Sequence, residues 1–160
     1  MRYRVWFGER NHLDVAWLPT RLSATAIDQC AGRLRGWALV RGVPIAGSTF
    51  VSLGPASTAR VCLPLQRPCR LDPETEICAE VLMGGPIAVV RDVPFSGLME
   101  HALHFADVLA PGGYRGAPEY QGAFHGTGLL TLPLFDRPAD PPGELVFEEA
   151  PARRGVLHSR

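Results

Sequence analysis

Lysine is absent. All 16 basic residues of this 160-residue chain are arginine, and 16 acidic residues bring the formal net charge to zero. No local run of arginines replaces the missing excess, so the electrostatic footprint of a nucleic-acid binder is lacking. Arginine-only usage beside abundant Ala, Gly and Pro is the compositional mark of a GC-rich bacterial genome. No segment is long and apolar enough to span a bilayer. Met1-Arg2-Tyr3-Arg4 leads into no signal-peptide apolar core, so a cytoplasmic protein without membrane contact is expected.

Other patterns are missing too. Cys30, Cys62, Cys69 and Cys78 show no C-x-x-C spacing, and free, buried or half-buried thiols are expected. A zinc site would need nearby His partners, and nothing points to one. A Cys69–Cys78 disulfide enters only for an exported protein. No glycine run follows a strand and opens a helix, so phosphate cradling is not supported. Ser48 and Ser96 lack a nucleophile's surroundings and read as turn or cap residues. His101 and His104 lie one helical turn apart without a third ligand, and read as a solvated polar face with Glu100 and Asp107. No metal or cofactor is expected.

What is present is a globular composition, 46% apolar and 20% charged, enough for one domain or two half-domains on one core. A short pattern occurs twice. Leu63-Pro64-Leu65 returns as Leu132-Pro133-Leu134, a shift of 69. At the same shift Gly47, Phe50 and Val51 are answered by Gly116, Glu119 and Tyr120. Each Leu-Pro-Leu closes a block of the same order: a β-rich run, an apolar helix, a Gly/Pro turn and two short β-like runs.

In the first block, after a possible edge strand at Tyr3 to Phe7, a β-like run covers Val15 to Thr25. Pro19 should mark a bulge or an edge, because it cannot donate to a ladder. A helix is predicted from Ile27 to Val40, with Ile27, Ala31, Leu34 and Ala38 as its apolar stripe, widened by Cys30, Trp37 and Val40. Gly42-Val43-Pro44 ends it. Strands follow at Thr49 to Leu53 and Arg60 to Leu65, and a linker at Gln66 to Pro73.

In the second block, Glu76 to Met83 and Ile87 to Val90 read as one strand broken at Gly84-Gly85-Pro86. A helix capped by Ser96 runs to about Leu109, burying Leu98, Met99, Ala102, Phe105, Ala106 and Leu109, and Pro111-Gly112-Gly113 stops it. Strands follow near Glu119 to Phe124 and Leu129 to Phe135. The expected fold is α+β: a duplicated β-α-β-β unit forming an antiparallel sheet, two helices on one face, and a pseudo-twofold seam. The single domain covers 1–135, with repeats at about 13–65 and 76–135. The tail, 136–160, is Pro-rich. Glu144 to Glu149 are a candidate strand, Ala152 to Arg160 are expected to fray, and pairing of the N-terminal strand with the tail is open.

The order and duplication of these stretches, from about Leu13 to Phe135, resemble the GyrI-like small-molecule-binding domain. That domain also forms the effector-binding half of bacterial multidrug-responsive transcription activators. The matching stretches run from Asp14 to Thr25, Leu34 to Trp37, Gly47 to Gly54 and Val61 to Leu65. They continue with Gly85 to Val90 and its helix, Gly116 to Tyr120, and Leu130 to Leu134. The resemblance implies an aromatic-lined pocket at the seam, with a buried acid facing cationic, planar or lipophilic ligands. The family's acidic position, just before a strand-opening Tyr, falls on Glu119. A carboxylate in an apolar site is costly unpaired, so a ligand cation pairing with it gains binding energy, and aromatic faces add cation–π attraction. Two departures stand out. No helix-turn-helix segment precedes the repeat, so direct DNA binding is not expected. Ala110-Pro111-Gly112-Gly113 follows the second helix where relatives often carry a Trp-containing helix end.

The candidate ligand-binding residues are Glu119, Tyr114, Tyr120, Phe50, Trp17 and Trp37. The alternative for Glu119 is a solvent-facing strand residue paired with Arg115. Glu119 and Tyr120 alternate along a strand, so both line one pocket only if a bulge intervenes. Phe50 occupies the position of Glu119 in the other unit. Trp17 precedes the Pro19 break. Trp37 sits on the apolar helix face, a position more often core than ligand contact.

Three functions follow. The first is a stand-alone protein, monomer or weak dimer, binding a lipophilic, aromatic or cationic drug or toxic metabolite between the repeats. The second, implied by the resemblance, is a self-resistance hydrolase opening the cyclopropane of DNA-alkylating natural products. Glu119 would act as general base and Tyr114 or Tyr120 as donor to the developing phenolate. The third is a protein-interaction module, since the family includes members that modulate a topoisomerase.

Overall fold

In the computed structural model, residues 2–55, 58–110, 113, 115–122, 124, 126–136 and 144–148 are described. Their strands are β1 (Arg2–Arg10), β2 (Leu13–Arg21), β3 (Phe50–Leu53), β4 (Thr58–Leu65), β5 (Cys78–Leu82), β6 (Gly85–Pro94), β7 (Glu119–Gly122), β8 (Thr127–Pro133) and β9 (Glu144–Glu148). The helices are α1 (Ala24–Arg41) and α2 (Leu98–Leu109). All strands join one sheet in the order β5-β2-β4-β3-β7-β8-β6-β1-β9, with every pairing antiparallel. The architecture is α+β. The order reads outward from the β3/β7 pair as β3-β4-β2 on one side and β7-β8-β6 on the other.

Two neighbouring cross-strand rows show how the faces differ. Leu18, Val61, Val51, Tyr120, Leu130, Val90 and Val5 stand opposite one another across seven strands, and all are buried. They share one core with the buried stripes of α1 (Ile27, Ala31, Leu34, Ala38) and α2 (Leu98, Ala102, Phe105, Leu109). Both helices therefore cover this face. One residue along each strand, the adjacent row points the other way: Pro19, Arg60, Ser52, Glu119, Thr131, Val89 and Trp6. Four of its members are polar or charged, and they occupy the middle of the sheet.

Helix ends follow local chemistry. α1 starts three residues before the predicted Ile27, because the Ser23 hydroxyl accepts the Ala26 amide at 3.2 Å and opens the helix there. Gly42, at φ 65, closes it by donating to the carbonyls of Ala38 and Leu39. Val40 does not widen the stripe; it is 83% exposed, while Cys30 and Trp37 lie half-buried against the core. Ser96 does not cap α2. Gly97, at φ 71, takes that place and no side chain caps the helix. The predicted stop at Pro111-Gly112 lies outside the described residues, as does the fraying expected at 152–160. His101 and His104 are half-buried against the Phe105 ring, not on a fully solvated face.

The break at Gly84-Gly85-Pro86 separates two strands, not two parts of one. β5 pairs with β2, whereas β6 pairs with β8 and β1 on the far side of the sheet. Likewise β1 ends at Arg10 and β2 starts at Leu13, although they lie on opposite sides. Two such short connections between distant strands require the sheet to curl until its outer strands meet. They meet where Gly84 crosses the 10–12 backbone. Its amide donates to Nδ1 of His12 at 2.9 Å, and a Cβ there would lie 2.4 Å from the Arg10 carbonyl oxygen. Pro19 lies beyond the Leu13–Trp17 stretch that β5 covers, so it sits at an open edge and β2 runs through it in unbroken register. β1 is not an edge strand; β9 pairs with it from the tail side.

Candidate functional site

The curl makes the helix-free face concave, and Glu119 sits at its centre. Its position follows from register: β7 enters the sheet between β3 and β8, which sets Glu119 opposite Ser52 and Thr131. Glu119 is 8% exposed and Ser52 4%, the two buried polar residues among the described ones. Arg10, at the end of β1, reaches across the concavity, and its Nη1 donates to Glu119 Oε1 at 2.5 Å. The Nε of Arg10 is buried without a hydrogen-bond partner.

This pair stands between two cavities. One, of about 320 Å³, is bounded by Leu13, Gly47, Phe50, Ile87, Gln121 and Thr131. The other, of about 190 Å³, is bounded by Ser52, Arg60, Leu82, Met83, Arg115 and Pro133. Arg10 and Glu119 line both.

Beside them, Trp17, Cys62 and Phe50 face one another across β2, β4 and β3. The guanidinium carbon of Arg60 lies 4.6 Å from the centroid of the Trp17 ring, and Nη1 of Arg60 lies 2.9 Å from Glu80 Oε1. Arg60 thus caps an aromatic face with a charge that is already paired. Burial pushes the Cys62 thiol up to about 12, although Arg60 works in the opposite direction. That thiol is a packing group at neutral pH. All four cysteines are free.

The structure brings together Glu119, Phe50 and Trp17 on the concave face. Tyr120 and Trp37 lie on the other side. β7 is in regular register with β3 and β8, so no bulge turns Tyr120 toward Glu119. The bulge falls in β6 between Val90 and Val93, where Asp92 has φ 58. Tyr120 donates its hydroxyl to the carbonyl of that bulge, Val93, at 3.0 Å, and its ring meets Phe95 and Phe124. Burial raises its pKa. A substrate at Glu119 would not meet the Tyr120 hydroxyl, because the sheet lies between them. Trp37 packs into the core beneath α1. Tyr114 lies outside the described residues.

Arg115 is not the partner of Glu119. Its guanidinium donates to the carbonyls of Leu134, Met83 and Pro86 at 3.0, 2.5 and 3.4 Å, tying the β8 exit to the β5–β6 connection. The residues that sequence reasoning missed are Arg10, Ser52, Arg60 and Glu80. Arg10 lies 109 positions from Glu119, and no local pattern signals such a contact. Among the described residues no cluster of His, Cys, Asp and Glu is arranged to hold a metal ion, and no helix is long and apolar enough to cross a membrane.

No family model and no curated protein matches the sequence. Solved structures do. The crystal structure of the EcmrR C-terminal domain superposes with a TM-score of 0.61 at 10% identity, over 82% of this chain and 96% of that one. The cryo-EM structure of the EcmrR–DNA complex in EcmrR-RPo gives a TM-score of 0.60 at 11% identity, again over 82% of this chain. The chain spans 57% of the length of EcmrR in that complex. At such identities the likeness is one of fold: this chain is similar in architecture to the EcmrR C-terminal domain.

Proposed function

We propose that the concave face binds a lipophilic, planar, cationic small molecule, with Glu119 as its counter-charge and Phe50 and Trp17 as aromatic contacts. The two β-α-β-β segments are read as repeats of one unit, and the cleft lies over the seam where they meet. The observation carrying this reading is a carboxylate 8% exposed at the middle of a sheet, with a cavity on either side. A fold needs no acid there; seven apolar residues fill the corresponding row on the other face. Burying a carboxylate costs several kcal/mol unless a cation compensates it, and in the absence of ligand Arg10 is that cation. Such a position is understandable if a ligand uses it. The likeness in fold to the EcmrR C-terminal domain is compatible with a small-molecule-binding module.

Titration with planar aromatic cations, followed by tryptophan fluorescence, tests this, because Trp17 packs in one cluster with Phe50, which lines the larger cavity. At least one compound should bind tighter than about 1 mM, and Glu119→Gln should weaken it by about tenfold or more, 1.4 kcal/mol. A panel that never binds below that threshold, or binds both proteins equally, removes the proposal.

A further inference from the structure

We infer that Arg10 is an internal occupant of the Glu119 site, which a ligand cation must displace, and that this exchange sets the affinity and charge selectivity of the cleft. The inference rests on the binding reading above and adds a competitor to it.

Four observations carry it. The contact is a single one, Nη1 to Oε1, where an arginine can present a two-pronged fork to a carboxylate. The neighbouring Nε is buried without a partner, so the guanidinium is incompletely satisfied where it lies. Arg10 is the last residue of β1, beside the turn at Asn11-His12, and its side chain is 20% exposed, so a route to solvent exists. Arg10 and Glu119 are also the two residues that line both cavities. The smaller space falls short of the about 300 to 1,000 Å³ of pockets for drug-sized ligands, and the larger, about 320 Å³, sits at the bottom of that range. With the guanidinium withdrawn the two become one.

The charges on this face point to the same exchange. Arg10 and Arg60 are paired with Glu119 and Glu80, and Arg115 adds a positive charge that no carboxylate offsets. A cation added beside Arg10 would enter a cleft that already has an excess of positive charge. A cation replacing Arg10 keeps the balance and inherits the carboxylate. Arg115 is committed to three carbonyls, and Arg60 to Glu80 and the Trp17 ring, so Arg10 is the cation that can yield.

The test compares N-methylquinolinium with its neutral isostere 1-methylnaphthalene by calorimetric titration of the wild type, Arg10→Met and Glu119→Gln. Methionine keeps an apolar stem and removes the competitor. If the Arg10-withdrawn state is a minor population of 10% or less, Arg10→Met should bind the cation at least about tenfold tighter than wild type, and the neutral compound should gain less, because it uses the joined space but not the carboxylate. Wild-type binding that is lost in Glu119→Gln yet unchanged or weaker in Arg10→Met overturns the internal-occupant role and leaves the binding reading standing. Cation binding by neither wild type nor Arg10→Met overturns both. Should Arg10→Met not fold, the wild type still answers. The Nε–Hε NMR signal of Arg10 should move with N-methylquinolinium toward its position in Glu119→Gln. A signal that stays fixed through saturation overturns the exchange.

Discussion

At the scale of single residues, the concave face carries buried side chains with opposite chemical tasks. Glu119 is a charge held where burial is costly, and Cys62, close by on the same face, is a thiol held neutral. The sign of the Cys62 effect is fixed. Its folded pKa is raised from 9.0 to about 12, so between those values the unfolded chain releases a proton that the folded chain keeps. The folded state then binds more protons, and its stability falls as pH rises through that window, by up to about 1.4 kcal/mol per pH unit. Urea unfolding at pH 8 and pH 10 should show a smaller loss in Cys62→Ala than in wild type, by on the order of 1 kcal/mol. Identical losses would mean that the thiol is not shielded. Glu119 became a candidate through the resemblance, whose acidic position just before a strand-opening Tyr falls on it. Strand alternation already set Glu119 and Tyr120 on opposite faces; what the sequence did not locate was the bulge that could have joined them, which formed in β6 instead.

At the scale of elements, what local chemistry dictates was legible and what distant strands dictate was not. The α1 stripe of Ile27, Ala31, Leu34 and Ala38 could be read because helical spacing puts those residues on one side. The strands around each Leu-Pro-Leu were visible as short β-like runs bounded by Gly and Pro turn residues. Caps divide the two helices. The Ser23 hydroxyl does bond to the Ala26 amide, whereas Ser96 lies one position before the cap and makes no such bond. Ser23→Ala should therefore cost about 1 kcal/mol in thermal or urea unfolding, and Ser96→Ala close to nothing. Equal costs would contradict the α2 start at Leu98. The separation of β5 from β6 escaped sequence reading because one glycine-rich break can mark a bulge or an exit from the sheet, and only the partner strands distinguish them. Gly84 is the residue where this matters. An added Cβ meets the backbone of Arg10, Asn11 and His12 at 2.4 to 2.8 Å, which no side-chain rotation relieves. Gly84→Ala should cost more than about 2 kcal/mol of stability, as backbone clashes at close approaches do. A variant as stable as wild type would mean that the two connections do not cross in contact.

At the scale of the whole molecule, one sheet has two unlike faces. The helix side is filled by a continuous apolar core. The other side curls around polar residues and cavities that core packing does not require. The composition could announce neither the curl nor the Arg10–Glu119 contact, since both arise when the 11–12 and 83–84 connections draw distant strands together. The central claim is that this concave face, and not the helix side, receives the ligand. Backbone amide NMR during titration with a planar aromatic cation reads that location directly. The account predicts that shifts concentrate at Gly47, Ser48, Phe50, Glu119, Gln121 and Thr131, with the α1 stripe around Leu34 and Trp37 unmoved. The largest shifts along α1 and α2, or none anywhere at millimolar ligand, would contradict it.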